Sequence, residues 1–219
     1  MSDETRTRIL LAAGPIFAIK GFDATTVREI CEAANVNVAS VNYHFGDKQK
    51  LYTETVKHAR DLRAEQVPFP EMPEHAPTSD KLLSFVSTML KRMLGDDAQL
   101  WQTQLMMREM LAPTEDCRVF VEDFFRPRLN ALLSILEPAF PTDFPEHRRM
   151  QFAFSVMGQC LFYRVGDGLL DIIVPESQRA TLFGIEHVAT HITNLTLAAL
   201  GAAQLADETD MVADSADDS

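Results

Sequence analysis

Apolar residues recur at intervals of three and four along nearly the whole chain, and most stretches of that rhythm stop at a glycine or a proline. The pattern predicts helices throughout. Residues 5–19 place Ile9, Leu10, Ala13, Ile16 and Phe17 on one face, and Gly21 ends the first helix. Pro15 lies inside it, removes a backbone donor and crowds the carbonyl four residues earlier, so a kink is expected there. Thr25 and Thr26 next offer capping oxygens, Glu29 completes a capping box with Thr26, and Val27, Ile30 and Ala34 form the buried stripe of a short second helix. Asn35 and Asn37 can turn the chain and cap again, so residues 38–45 form a third, very short helix that Gly46 closes. Asp47 caps a fourth, whose Leu51, Val56 and Ala59 run on toward Leu62.

Pro68, Pro70, Pro73 and Pro77 then follow at a density that excludes helix and central strand. Residues 64–80 therefore read as a linker between an N-terminal domain, 1–63, and a larger helical domain, 81–201. Residues 81–94, 98–111, 115–140, 145–165 and 178–200 each carry long helical patterning, separated by Gly95, Pro113, Pro141 and Pro175. Pro127 predicts a kink rather than a break, because Leu129, Leu132, Leu133 and Leu136 continue the stripe beyond it. Residues 202–219 are small and acidic and are expected to form a disordered tail. The fold class is all-α.

The 219 residues can bury a core without metal or disulfide staples. Cys31, Cys117 and Cys160 are odd in number and far apart, which fits buried thiols in a reducing cytoplasm. The first eight residues lack an apolar signal core, and no stretch reaches the 18 apolar residues of a membrane span. A net charge of −12 argues at first against nucleic acid. The charge is unevenly placed, however: residues 1–63 hold nine Lys/Arg against eight Asp/Glu, and the remainder 11 against 24. An acidic body would keep a polyanion on the N-terminal side.

The segment VREICEAANVNVASVNYHF, 27–45, joins two helices by a tight Asn-containing turn, with Ala33, Val36, Val38 and Val41 placed to pack them. This is a helix-turn-helix pattern, in which the second helix enters the DNA major groove. Gly21-Phe22, residues 25–30 (TTVREI), Ala33-Ala34, residues 41–45 (VNYHF), Lys48 and Leu51-Tyr52 together resemble the DNA-binding region of the TetR family. The resemblance spans about the first 55 residues and implies a three-helix DNA-binding domain, with a connecting fourth helix, facing double-stranded operator DNA. Carried over by position, it makes Asn37, Val38, Ala39, Ser40, Asn42, Tyr43 and His44 the DNA face. Asn42 can pair with adenine, Ser40 can donate or accept, and Val38 and Ala39 can touch a thymine methyl. Tyr43, His44, Lys48 and Thr26 with nearby Arg28 are expected on phosphates, the last two at a helix N-terminus. Arg6 and Arg8 could add an arm contact. The chain departs from the family pattern at Val38-Ala39, where a small polar or basic residue is frequent, and at Pro15.

In the larger domain Leu182, Ile185, Val188, Ile192, Leu195 and Ala199 form a seam on the last helix. The family resemblance implies that the last two long helices build a homodimer, with recognition helices about 34–36 Å apart on a near-palindrome. Trp101, Met106, Met107, Met110, Phe120, Phe124, Phe125, Phe154, Met157, Phe162 and Tyr163, with Arg108, Arg128 and Arg164, suggest an adaptable apolar ligand pocket. Residues 108–109 (RE), 112–114 (APT) and 162–166 (FYRVG) resemble the CecR-like subgroup, which implies a drug-like or xenobiotic inducer and control of an export system. No catalytic motif or cofactor fingerprint is present; His187 and His191 stand four apart, but Val188 occupies the position where a zincin carries its glutamate. Asp96-Asp97 and Glu122-Asp123 read as solvated or capping residues. The expectation is a ligand-responsive repressor without cofactor or catalytic metal. The competing reading is a helical interaction module that no longer binds DNA.

Overall fold

The computed structural model describes residues 2–95, 101–114 and 120–217, and among them every regular element is a helix. Four helices open the chain: α1 (Ser2–Ala24), α2 (Val27–Ala34), α3 (Val38–Phe45) and α4 (Lys48–Gln66). After the proline-rich stretch come α5 (Thr78–Leu94) and α6 (Trp101–Leu111), then a π-helical turn (Val121–Phe125) that runs into α7 (Arg126–Leu136). A 3₁₀ turn (Glu137–Ala139), α8 (Glu146–Val165), α9 (Asp167–Ile173), α10 (Glu176–Leu182) and α11 (Ile185–Asp217) complete the order. Cys117, Asp96-Asp97 and the expected helix starts at 98 and 115 lie outside the described residues.

The contacts divide the chain into two units, Met1–Pro68 with Asp96–Pro127 and Phe69–Gly95 with Arg128–Ser219. This differs from the sequential split at residues 64–80. Helix α6, expected with the larger domain, packs on α1 and α4, because its Leu105 and Met106 join the same core as Ile9, Leu10, Ala13, Phe17, Ile30, Val41, Phe45 and Leu51. Trp101 lies across Gly14: a Cβ there would stand 2.2 Å from the indole Cζ3. At the other end of α6, Arg108 donates to the carbonyls of Ala18 (3.4 Å) and Ile19 (2.8 Å), just ahead of the non-helical Gly21 in α1.

Several expected boundaries hold in their local chemistry. Thr26 caps α2, with the reciprocal Glu29 box present, while Thr25 is buried and donates to the carbonyl of Gly21 at 2.7 Å. Asn35 takes a left-handed conformation (φ 50°) at the end of α2, Asn37 caps α3 and Asp47 caps α4. The non-helical residue in α1 is Gly21 (φ 79°), not Pro15. The acceptor that Pro15 deprives belongs to Leu11, whose side chain is exposed, so that carbonyl can turn to water without breaking the helix. At Pro127 the chain answers the missing donor with the widened π-turn just before it.

Other boundaries differ. Helix α4 reaches Gln66, since Ala64, Glu65 and Gln66 are good helix formers and the first restricted position precedes Pro68. Within the second unit Phe69 stacks on Phe85 at 5.4 Å beneath Arg92, which ties the proline-rich stretch to α5. The expected final helix is two, because Phe183-Gly184 separates α10 from α11, and α9 is an additional short helix. The expected disordered tail is instead helical to Asp217: past Gly201 it contains no glycine or proline, and alanine recurs along it with leucine, glutamine, glutamate and methionine. Helix α11 packs along α5, with α5 also against α8. Val188, Ala189 and Ile192 are consumed in that core, whereas Leu182 and Leu195 remain exposed. Part of the predicted dimer seam is therefore core within the chain.

Candidate nucleic-acid interface and interior cleft

Helix α3 is amphipathic over only two turns. Val41 and Phe45 enter the core, and Val38, Ala39, Asn42 and Tyr43 face outward. Tyr43 is 81% exposed, its ring edge-on to His44 at 5.1 Å. His44 is half-buried, next to Phe45. Lys48 donates to the carbonyl of Asp23 at 3.3 Å, and its ammonium stands 4.5 Å from the centre of the Phe22 ring. That anchors the cation at the corner between α1 and α2.

The polar residues flanking this face are already engaged. Asn37 Oδ1 accepts from the Ser40 amide at 2.9 Å and from its hydroxyl at 3.0 Å. The Thr26 hydroxyl donates to Glu29 Oε2 at 3.0 Å, Lys20 pairs with the same carboxylate, and Arg28 pairs with Glu32 one turn on. The Lys20 ammonium, with the Thr26 amide and hydroxyl, holds the Glu29 carboxyl down to about pKa 2. Arg6 is not a free arm: it pairs with Glu54 and lies over the Phe45 ring. Arg8 is exposed and borders an open groove shared with Asn35, Asn37 and Ser40.

The same unit contains a cleft of about 350 Å³, mouth included, lined by Tyr52, Thr53, Val56, Lys57, Arg60, Glu109, Thr114, Phe120, Asp123 and Phe124. Its enclosed part is about 20 Å³, room for about one water. Glu109 is buried at its wall and accepts from the Tyr52 hydroxyl (2.8 Å), the Thr114 amide (3.0 Å) and the Thr114 hydroxyl (2.8 Å). Tyr52 also receives the edges of Phe17 and Phe22. Arg60 pairs with Asp61 and Asp123, and these carboxylates raise its already high pKa.

Of the residues expected to line a ligand pocket, Phe120 and Phe124 border this cleft, their rings stacked at 4.8 Å. Met106 is core, Trp101 covers Gly14, Arg108 holds the end of α1, and Met107 and Phe125 are half-buried in the first unit. Arg128, Met157, Tyr163 and Arg164 are half-buried and Phe154 exposed in the second. His187 and His191 are exposed, and among the described residues no cluster of His, Cys, Asp and Glu could hold a metal ion. Glu122 is paired with Arg126. No helix of the described residues is long and apolar enough to cross a membrane.

Two family signatures match this chain. Bacterial regulatory proteins of the tetR family match residues 9–55, which are the helices carrying the exposed face of α3. The C-terminal domain of the HTH-type transcriptional dual regulator CecR matches residues 78–200, more than half of the chain. The chain belongs to the TetR family. It is a DNA-binding transcriptional regulator with a CecR-like C-terminal domain, in a family of regulators and not of enzymes. The dual regulator CecR of Shigella flexneri is 26% identical over 174 residues, 75% of this chain and 77% of its own. A negative regulator of the biofilm operon icaADBC in Staphylococcus aureus (strain Newman), IcaR, is 36% identical over 52 residues, 24% of this chain and 28% of its own. The crystal structure of AibR in complex with isovaleryl coenzyme A and operator DNA shares the fold, with a TM-score of 0.61 at 18% identity over 87% of this chain and 97% of that one.

Within this TetR-family chain, sequence reasoning passed over Glu109, Val56, Lys57 and Arg60 as cleft residues. Glu109 reads in sequence as one more charge on an exposed helix face; its burial depends on Tyr52, 57 residues away. A carboxylate within three residues of Met106, Met107 and Met110, on a helix whose other charge is Arg108, is the signal that was available.

Proposed function

We propose that this regulator is a homodimeric repressor that holds a near-palindromic operator through α3 and releases it when a small, drug-like or xenobiotic molecule opens the cleft beside α4. The observation that carries the reading is the outward face of α3: Val38, Ala39, Asn42 and Tyr43 stand free of the core that Val41 and Phe45 enter. Base edges in the major groove are the partner such a helix fits. Tyr43, His44 and Lys48 then take phosphates, joined by Thr26 and Arg28 once DNA competes with Glu29 and Glu32.

Dimerisation draws support from the apolar residues that the second unit leaves exposed, Phe154, Phe162 and Val165 on α8 and Leu195 on α11. A second copy covering them sets the two α3 helices one DNA turn apart. Such a protein works in the cytoplasm, beside its operator.

The cleft supplies the release step. Its enclosed part seats about one water, so any larger occupant must part α4 from α6. Helix α4 starts directly after α3 and carries Tyr52, Val56, Lys57 and Arg60 along the cleft, so widening there shifts α3. By linkage, operator and effector weaken each other by the same factor.

The test is selection of bound sequences from random duplex DNA at two salt concentrations, followed by affinity measurement. A near-palindrome whose affinity falls steeply with salt, and falls across all sequences in Lys48→Ala, is expected. A folded dimer that enriches nothing would overturn the reading in favour of a protein-interaction module.

A further inference from the structure

Helix α3 contains no lysine or arginine. Its sequence is VASVNYHF, so it lacks the side chains that most often read guanine O6 and N7. At its N-terminal end the polar groups are committed to one another, because the Asn37 carboxamide oxygen takes both the amide and the hydroxyl of Ser40. Between those two residues Val38 is 48% exposed and Ala39 is exposed. Asn42, one turn beyond Val38, is exposed, and its backbone carbonyl accepts from the Gly46 amide.

An apolar surface turned outward on a reading helix gains by covering another apolar surface. The major groove offers one such group at the base edges, the C5 methyl of thymine. We infer that this regulator selects its operator through thymine methyls: Val38 and Ala39 cover methyls of neighbouring thymines while Asn42 takes the N6 and N7 edge of an adenine. The base-specific core of each half-site is then made of A·T pairs. The inference rests on the reading of α3 as the DNA-facing helix. It adds which base chemistry that helix recognises.

Replacing thymine by uracil removes the methyl and keeps the base pair. The experiment starts with selection from a random duplex pool containing thymine. Each thymine of the recovered half-site is then replaced singly by uracil, and affinity is read by fluorescence anisotropy with the full-length protein. The expected result is an A·T core in which one or two uracil replacements weaken binding about fourfold each, the amount one buried methyl supplies, while replacements outside the core change nothing. Val38→Ser, an exposed substitution, should bring the thymine-to-uracil ratio close to one at a single position while leaving the helical circular dichroism unchanged. A recovered site with a G·C core, or one insensitive to every uracil replacement, would overturn this inference and leave the DNA-binding reading standing. No enrichment from the pool would overturn both.

Discussion

Gly14→Ala isolates the contact that docks α6 onto the DNA-reading unit. Gly14 sits in mid-helix, where alanine is favoured over glycine by about 0.8–1.0 kcal/mol. Propensity alone therefore predicts a more stable protein. A Cβ at that position, however, would stand 2.2, 2.4 and 2.6 Å from Cζ3, Cε3 and Cη2 of Trp101, where ordinary contact begins at 3.4 Å. The indole is rigid, so the ring or the whole of α6 must retreat by over an ångström, a disturbance of the kind that costs about 1–3 kcal/mol. The balance is a loss of up to about 2 kcal/mol, or a few degrees in Tm at about 2–4 °C per kcal/mol for a chain of this size.

The assay is thermal and urea unfolding of Gly14→Ala, Trp101→Leu and the double variant, with Gly201→Ala as control because a Cβ there meets nothing within 4 Å. The control should hold its Tm or rise. Gly14→Ala should fall, and much of that fall should vanish when Trp101 is already leucine, as expected for residues in direct contact. An effect of Gly14→Ala that is the same in the parent and in the Trp101→Leu background would refute the seating of Trp101 on α1.

Three further perturbations follow from named groups. Tyr52→Phe removes one of three donors to the buried Glu109 and should lower the urea midpoint by an amount equivalent to about 1–3 kcal/mol; an unchanged midpoint would mean the hydroxyl contributes nothing. Glu29 has a folded pKa lowered to about 2 from 4.5, so the stability it contributes is present above 4.5 and is lost as pH falls toward 2. Glu29→Gln should flatten that part of the acid unfolding curve, and an unaltered curve would reject the Lys20 pairing. Burial pushes the Cys160 thiol up to about 12; peptide mapping after treatment with a thiol reagent at pH 8 should find Cys160 unlabelled until the protein is unfolded, and rapid labelling of the native chain would show that α8 opens.

The parts of the fold legible in sequence are those set by neighbours within four residues. The Thr26–Glu29 box and the caps at Asn37 and Asp47 each join a side chain to an amide within one turn, and the left-handed Asn35 donates its backbone amide to the carbonyls of Cys31 and Glu32; their residue types state the geometry. Boundaries went astray where propensity and pattern compete. Residues 64–66 and 202–217 are polar enough to look like linker and tail, but they are rich in helix formers and free of glycine and proline save at Gly201 on the edge, so they continue the helices before them. The placement of α6 was hidden for a different reason. Its attachment depends on Trp101 meeting Gly14 and on Arg108 reaching Ala18, 90 residues away, and no local period encodes a partner that distant.

The two halves of the candidate site differ in the same respect. The outward direction of Tyr43 can be read from sequence, because it lies opposite Val41 and Phe45 on a helix of two turns; Val38, three and seven residues before those two, shares their face by period, and its 48% exposure is legible only in the structure. A cavity is legible only where packing fails, and Met or aromatic composition does not distinguish a filled site from an unfilled one. Met106 and Phe124 were equal candidates by composition; one fills the core and the other borders the cleft. What decides between them is the shape left between α4, α6 and the π-turn ahead of Pro127. That shape has a consequence for control: Tyr52 borders the cleft and also meets Phe17 and Phe22 of α1. On the proposed release mechanism, an occupant of the cleft would press on the core of the first unit itself, and a shift of α3 would need no relay through the second unit.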